Sequence, residues 1–307
     1  MSQENFKDKI VIAGGSGFLG AAVISQFPDA DLVVLTRSTA SVKGNVRYVQ
    51  WDAKTLGLWT KELEGSKAVI NLVGKSVNCR YTDENKKEII NSRTDATLAL
   101  GKAIAESENP PQVWINAGSA AIFGNSGDEI KDENSPTGHG FSPEVCKAWE
   151  KAFYTFDTPK TRKVFLRIGM VLQQKGGILK PFANLVKLGV GGKIGSGKQY
   201  MTWIHEADFQ KLIQWAIDKP EAIGIIHAAS PNPVTNSEFM RSMRETYRVP
   251  LGIPNPAFLI KIGAIFIGTE AELVLSGRRV VSTFLLQKGF KFNYPYLHEA
   301  LEELVNR

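Results

Sequence analysis

Residues 9–20 read Lys9-Ile10-Val11-Ile12-Ala13-Gly14-Gly15-Ser16-Gly17-Phe18-Leu19-Gly20, and this stretch decides the fold of the chain. A short apolar run leads directly into a glycine-rich turn, and an amphipathic segment follows the turn. That order predicts a buried strand, a tight turn and a helix. Glycine lets the backbone turn sharply, and it lets a diphosphate approach the main chain at the positive end of the helix dipole. The glycines can be read as Gly15-x-Gly17-x-x-Gly20 or as Gly14-x-x-Gly17-x-x-Gly20, and both spacings predict a dinucleotide site over residues 14–20.

Composition excludes several classes of protein. The chain has 307 residues, of which 43% are hydrophobic and 22% charged, as in an ordinary globular protein. The net charge of +6 is scattered among acids, which argues against a nucleic-acid partner but suits an anionic cofactor or substrate. The two cysteines predict neither a disulfide framework nor a metal site, and they fit a reducing compartment. With no apolar signal segment and no membrane-spanning stretch, we expect a soluble cytoplasmic protein.

Alternating strand and helix patterns continue along the chain. Further strands are predicted at 31–35, 46–50, 68–72, 113–117, 164–168 and 225–229, and helices at 83–106 and 145–154. This alternation predicts an α/β fold with a Rossmann-type, doubly wound parallel sheet. Residues 1–170, completed by about 203–230, are expected to form the Rossmann domain that binds the dinucleotide. Residues 171–202 and 231–307 are expected to form a smaller substrate lobe.

Parallel sheets bind ligands at the carboxyl ends of their strands, and polar or small residues follow several predicted strands here. Arg37, between Thr36 and Ser38 at the end of the second strand, favours a 2′-phosphate and therefore NADP over NAD. Asp52 follows the third strand, near the place where we expect the adenine ring of the dinucleotide to lie. Arg93, on the long helix, is predicted to bind a phosphate or carboxylate group. The alternative is an arginine on the solvent-exposed face of the helix. The remaining predicted cofactor-binding residues follow the fourth strand: Asn71, Leu72, Val73 and Gly74.

The chain resembles the short-chain dehydrogenase/reductase superfamily, in its extended or atypical branch. More narrowly, it is similar to epimerase-like proteins that carry a small C-terminal domain of unknown function. The resemblance covers nearly the whole chain, and its most specific blocks lie at 195–205 and 233–236. It implies an NADP-binding Rossmann domain and a C-terminal domain better than it implies a substrate. The other blocks that carry it are 14–20, 35–37, 70–74, 92–93, 119–124, 146–150, 166–172, 277–280 and 289–292.

The superfamily's proton shuttle is missing from this sequence. Working members use a tyrosine and a lysine four residues later on one helix face, which pass a proton while hydride moves at the nicotinamide. None of the seven tyrosines is followed four positions later by lysine, and Ser142 and Cys146 stand where the pair is expected.

Three residues are candidates to replace the missing pair. Ser119 follows the fifth strand, where the superfamily places a substrate-binding hydroxyl; the alternative is a turn-forming serine. Glu144 is a candidate acid or base and Cys146 a candidate thiol facing the nicotinamide; the alternatives are a charged helix start and a small buried residue. His205 with Asp208 suggests a histidine–carboxylate pair or, alternatively, two structural residues at a helix start.

Two functions follow from these patterns. The first is an NADP-dependent oxidoreductase or epimerase-like enzyme acting on an unidentified small substrate, for which the charge balance suits an anion. The second is a non-catalytic protein that binds NADP(H) as a redox sensor or interaction protein. The sequence leaves the oligomeric state open.

Overall fold

The computed structural model describes residues 8–174 and 176–307. The strands of its main sheet are β1 Lys9–Ala13, β2 Asp31–Thr36, β3 Ser41–Lys43, β4 Val46–Gln50, β5 Ala68–Asn71, β6 Val113–Ser119, β8 Arg162–Ile168 and β12 Gly224–Ala228. Their spatial order is β12-β8-β6-β5-β1-β2-β4-β3, and all neighbours are parallel except that β3 is antiparallel to β4. The predicted α/β fold with a Rossmann-type sheet is confirmed.

The chain order reverses at the centre of this sheet. β1 lies between β2 and β5. The strands that follow β1 first add on the β2 side of the sheet, and from β5 onward they add on the opposite side. Val11, Ile12 and Ala13 are all fully buried, and successive strand residues point to opposite faces, so both faces of the sheet are covered. The carboxyl ends of β1 and β5 therefore form the crevice where such folds bind ligands.

Three short strand pairs lie outside the main sheet. The parallel pairs are β7 Ile130–Lys131 with β14 Arg279–Val280, and β9 Met170–Leu172 with β11 Trp203–His205. The antiparallel pair is β10 Tyr200–Met201 with β13 Val234–Thr235. The β7–β14 pair joins segments about half the chain apart, so it brings residues of the C-terminal region back to the loop that follows β6.

The helices end close to where the sequence predicts, with one informative difference. The helix predicted at 83–106 has these bounds, whereas the one predicted at 145–154 begins at Phe141. Pro143 lies in its first turn, where proline is tolerated because the backbone N–H there has no partner within the helix. The helices are α1 Phe18–Gln26, α2 Asp83–Glu106, α3 Phe141–Phe153, α4 Leu179–Lys187, α5 Glu206–Asp218, α6 Asn236–Thr246, α7 Ala257–Phe266, α8 Glu272–Leu275, α9 Thr283–Gln287 and α10 Leu297–Asn306.

The buried apolar residues form a main core around the sheet and a second cluster. The second cluster joins α4, α6 and α10 through residues such as Phe182, Phe239 and Leu301. Leu285 and Phe290, from the C-terminal segment, pack into the main core instead. The division into a cofactor domain and a substrate lobe stays a prediction.

Candidate functional site

Four glycines follow β1, and a side chain would clash with neighbouring atoms at every one of them except Gly17. Gly14 has φ +81°, and a Cβ there would lie 2.9 Å from the carbonyl carbon of Leu72. A Cβ on Gly15 would lie 2.8 Å from Val34 Cγ1, and one on Gly20 only 2.4 Å from the Gly15 Cα. A Cβ on Gly17, by contrast, would meet nothing nearer than the Gly14 carbonyl oxygen at 3.7 Å. Protein packing therefore leaves open space beside Gly17.

That open space lies at the start of α1. Gly17 is the residue that precedes the helix, and no side chain caps the first turn. The Ala21 N–H donates to the Gly17 carbonyl at 2.9 Å, so the N–H groups of Phe18, Leu19 and Gly20 precede the first hydrogen bond of the helix. Ser16, Gly17 and Phe18 are exposed. Uncapped N–H groups and the helix dipole together attract an anion.

Arg37 lies exposed just past the end of β2. The Ser38 N–H donates to Thr36 Oγ1 at 3.1 Å, so Thr36 shapes the turn that carries the arginine. Within the described residues, Arg37 forms no ion pair. A guanidinium in this position remains available to a phosphate.

Asp52 shapes the turn that follows β4. Its carboxylate accepts hydrogen bonds from the Lys54 N–H and from the Thr55 N–H and hydroxyl, at 2.6–2.8 Å. These bonds, the Thr55 hydroxyl foremost, lower the pKa of Asp52 to about 2. The side chain is exposed and ionised, and its oxygens already have partners on its own loop.

Asn71 lies at the centre of a buried polar network, where it makes three hydrogen bonds. Its side-chain N–H groups donate to Asn116 Oδ1 at 2.6 Å and to Thr97 Oγ1 at 3.1 Å. Its Oδ1 accepts from the Val73 N–H at 3.1 Å, and Trp149 Nε1 donates to Thr97 at 3.0 Å. The network links β5, α2, β6 and α3, and it sets the path of Leu72, Val73 and Gly74. Asn71 thus positions the loop that follows β5 through its hydrogen bond with the Val73 N–H.

The three candidates for the missing proton shuttle have different surroundings. Ser119 ends β6, and its hydroxyl oxygen accepts from the Ala121 N–H at 3.1 Å. Cys146 is buried, 4% exposed, and burial raises the pKa of its thiol to about 12. Glu144 is exposed on the first turn of α3. Catalytic roles for Ser119, Glu144 and Cys146 stay predictions.

Sequence reasoning missed Tyr81, from the loop between β5 and α2. Its ring packs edge-on against Phe141, with centroids 4.7 Å apart, and its hydroxyl lies beside Ser142. Among the described residues, the buried Tyr81 hydroxyl has no hydrogen-bond partner of good geometry, and burial raises its pKa to about 12. A tyrosine therefore reaches the start of α3 from another element. The search for a tyrosine and a lysine four positions apart on one helix cannot find it.

Arg93 lies at the same edge of the sheet. A Cβ on Gly74 would lie 3.1 Å from Arg93 Cζ, so the glycine allows the guanidinium to occupy this place. The guanidinium stacks 5.1 Å from the Trp149 ring centroid, and one N–H donates to the Ile89 carbonyl at 2.8 Å. Burial lowers the pKa of Arg93. Of the two interpretations of this residue, the solvated helix arginine does not fit these contacts.

His205 and Asp208 are both engaged in structural contacts. His205 Nδ1 accepts from the Ala207 N–H at the start of α5, and Nε2 lies 3.0 Å from Glu303 Oε2. The Asp208 carboxylate accepts the Asn293 and Tyr294 N–H groups at 2.6 and 2.9 Å. These bonds fasten α5 to the C-terminal segment, which favours the structural interpretation. Within the described ranges, no group of histidine, cysteine and acidic residues could hold a metal ion.

Comparison with known proteins identifies the family. The sequence pattern of the NAD dependent epimerase/dehydratase family matches residues 10–146, and a domain of unknown function, DUF1731, matches residues 255–304. The mouse epimerase family protein SDR39U1 is 31% identical over 97% of this chain and 99% of its own length. The chain belongs to the epimerase family. A chloroplastic SDR39U1 homologue of Arabidopsis thaliana, another member of the family, is 30% identical over 99% of this chain and 88% of its own length.

Solved structures show the same fold. The human SDR39U1 crystal structure, determined with NADPH, has a TM-score of 0.87 and 27% identity over 97% of this chain and 99% of that one. The UDP-N-acetylglucosamine 4-epimerase of Methanobrevibacter ruminantium has a TM-score of 0.73 at 17% identity, covers 98% of each chain, and shows a shared fold. No helix in the described ranges has the length and apolarity to cross a bilayer. A cytoplasmic location stays a prediction.

Proposed function

We propose that this chain binds NADP(H) across the glycine loop and reduces or oxidises a small carbonyl or alcohol substrate with it. The NADPH in the human family member supports the cofactor, because that protein is similar over nearly its whole length. The open space beside Gly17 supports the same assignment in this chain, as does Arg37, which is exposed and forms no ion pair with the residues that the structure describes. Bound NADPH supplies hydride.

The observation that carries the reaction is the Tyr81 hydroxyl. It lies beside Ser142, in the first turn of α3, where the superfamily's tyrosine is missing from the sequence. With its pKa raised to about 12, the phenol keeps its proton at neutral pH. Such a group donates a hydrogen bond and a proton to a substrate oxygen during reduction. In this proposal Ser119 and Ser142 orient the substrate oxygen, and the Cys146 thiol lines the site.

The test begins with the nucleotide. Denaturing the purified protein and identifying any released nucleotide, together with fluorescence titration of NADPH, tests binding alone. Consumption of NADPH with panels of sugar nucleotides, quinones and aldehydes then tests turnover, which Ser119→Ala is expected to reduce. If NADPH binds but no panel member is turned over, cofactor binding stands and the oxidoreductase proposal fails.

A second function is favoured by Ser142 and Cys146 at the positions of the missing pair. In this alternative, the chain binds NADP(H) as a ligand, and the redox state of the nucleotide changes the affinity for a partner. Linkage then requires the partner to change the affinities for NADPH and NADP⁺ unequally. Equal partner affinities with both forms, in a pull-down from lysate, would eliminate this alternative.

A further inference from the structure

One side of helix α7 is apolar and faces outward. Phe258 is 61% exposed, Ile265 63% and Phe266 85%, and Leu259 and Ile262 are about half exposed. These residues are spaced three, four and seven positions apart, so they lie along one side of the helix. We call these five residues the α7 face. A contiguous exposed apolar surface of this kind marks a place where a protein binds a partner or a membrane.

The opposite side of α7 holds the helix on the protein. Ala264 is buried, and Ile260 packs against the second apolar cluster. Just past the end of the helix, Arg80 Nη1 donates to the Thr269 carbonyl at 2.9 Å, and the Thr269 hydroxyl donates to Asn78 Oδ1 at 2.5 Å. The packing and these bonds together fix which side of α7 points away from the protein.

More exposed apolar residues lie on the two loops that meet before α7. The Ile253 N–H donates to the Gly189 carbonyl at 2.9 Å, and the Gly192 N–H donates to the Ile253 carbonyl at 3.1 Å. These bonds pair the chain that leads into α7 with the loop that follows α4. Leu188, Leu251 and Ile253 are all exposed at this junction. The apolar surface therefore extends beyond the helix itself.

The two segments that meet at this junction carry positive charge only. Residues 176–205 and 246–269 contain no aspartate or glutamate. The acids that flank the second segment are paired with other arginines: Glu245 lies 3.8 Å from Arg241, and Glu270 lies 3.2 Å from Arg80. Within the part of the chain that the structure describes, none of the exposed bases of the two segments forms an ion pair. These bases are Lys180, Lys187, Lys193, Lys198, Arg248 and Lys261.

We propose that the α7 face and the bases of these two segments dock on the surface of an anionic lipid bilayer. Apolar side chains of a surface helix enter the boundary between headgroups and acyl chains, and lysine and arginine bind the headgroup phosphates. The ten residues of α7 span only about 15 Å, half the thickness of a bilayer core, so the helix lies on the surface and does not cross it. A second copy of the chain suits this surface less well, because two copies would bring like charges together.

The experiment uses the whole protein with saturating NADPH and measures cosedimentation with lipid vesicles. One set of vesicles is phosphatidylcholine alone, and the other contains about one third phosphatidylglycerol. Saturable binding is expected with the anionic vesicles, and it should be about tenfold weaker with the neutral ones. Binding should also weaken several-fold in about 0.5 M salt, because salt screens the attraction between exposed charges. Equal binding to both sets of vesicles would overturn the role of charge.

A pair of apolar substitutions tests the α7 face directly. Ile265→Gln combined with Phe266→Gln is expected to weaken binding to anionic vesicles by about tenfold or more. Both side chains are exposed, so the melting temperature should equal that of the parent. Leu58→Gln combined with Ile223→Gln is the matched control, since it removes two exposed apolar side chains outside α7 and its adjoining loops. Equal binding by the two double variants would overturn the proposal.

A pair of charge substitutions tests the bases. Lys193→Gln combined with Lys261→Gln is expected to weaken binding to anionic vesicles several-fold and to reduce its dependence on salt. Lys87→Gln combined with Lys151→Gln removes two exposed lysines elsewhere, and it should bind nearly as the parent does. The same loss in both double variants would show that net charge alone, and not this surface, attracts the lipid.

Sedimentation equilibrium of the parent protein distinguishes lipid from a second copy. Absence of vesicle binding would overturn the proposal, and a dimer that Ile265→Gln and Phe266→Gln dissociate would assign the α7 face to a second copy instead. All of these variants are expected to bind NADPH as the parent does, because they lie outside the glycine loop. Failure of vesicle binding therefore leaves the proposed function as it stands, and failure of NADPH binding leaves the docking surface as it stands.

Discussion

The Tyr81 ring packs edge-on against the Phe141 ring, with centroids 4.7 Å apart and planes inclined by 63°. This contact joins the loop after β5 to the first residue of α3. Glu270 holds the loop from the other side by accepting the Tyr81 N–H at 2.9 Å. Three distant segments therefore determine where this phenol lies, and the reaction proposed here depends on that position.

Tyr81→Phe is expected to lower kcat by about 10²- to 10⁴-fold, since a general acid is lost. The melting temperature should stay the same or rise, because the variant removes a buried hydroxyl that has no partner. Tyr154→Phe is the control, since it removes a tyrosine hydroxyl at the far end of α3. A Tyr81→Phe enzyme as active as Tyr154→Phe would exclude the phenol as proton donor.

Arg37→Ala is expected to weaken NADPH binding by about 10- to 100-fold and to leave NADH binding unchanged, because only NADPH carries the 2′-phosphate. Fluorescence titration with both nucleotides measures the difference. Arg241→Ala, which removes another exposed arginine, serves as the control. If the affinities for NADPH and NADH fell by the same factor, Arg37 would not be the residue that binds the 2′-phosphate.

Gly14→Ala and Gly17→Ala should have opposite effects. Alanine at position 14 must adopt a positive φ and approach the Leu72 backbone, so the free energy of unfolding should fall by about 1–3 kcal/mol. Alanine at position 17 has room in the protein, so stability should hold while NADPH binding weakens. Urea unfolding and NADPH titration of both variants check this contrast. If Gly17→Ala bound NADPH normally, the diphosphate would not pass beside Gly17.

The free energy of unfolding should decrease in alkaline solution because of Cys146. Burial raises its thiol pKa from 9.0 to about 12, so the folded state holds this proton more tightly than the unfolded state. The stabilisation is complete below pH 9 and is lost, at about 1.4 kcal/mol per pH unit, as pH rises toward 12. In Cys146→Ala the decrease should begin nearer pH 10, where Tyr81, whose pKa is also raised, starts to contribute. Urea unfolding between pH 8 and 11 tests this, and identical curves for parent and variant would contradict it.

Much of the fold was predictable because its signals are local. Apolar runs such as 9–13 and the pattern over 83–106 depend on neighbours a few residues apart, so the strand β1 and helix α2 could be bounded from sequence. The edge strand β3 was missed, since its three residues are all exposed and have no alternating apolar pattern. The early start of α3 was missed because proline usually marks the end of a helical pattern. Pro143 lies in the first turn of α3, where proline is tolerated.

The sequence by itself determined the parallel sheet, the glycine turn and the exposed arginine after β2, since each is encoded within one short segment. Only the tertiary structure decided what surrounds Cys146. Tyr81 and Glu270 are 189 positions apart, so no spacing along the chain relates them. Their proximity results from the sheet order and from the β7–β14 pairing, which return the C-terminal region to the carboxyl edge of the sheet.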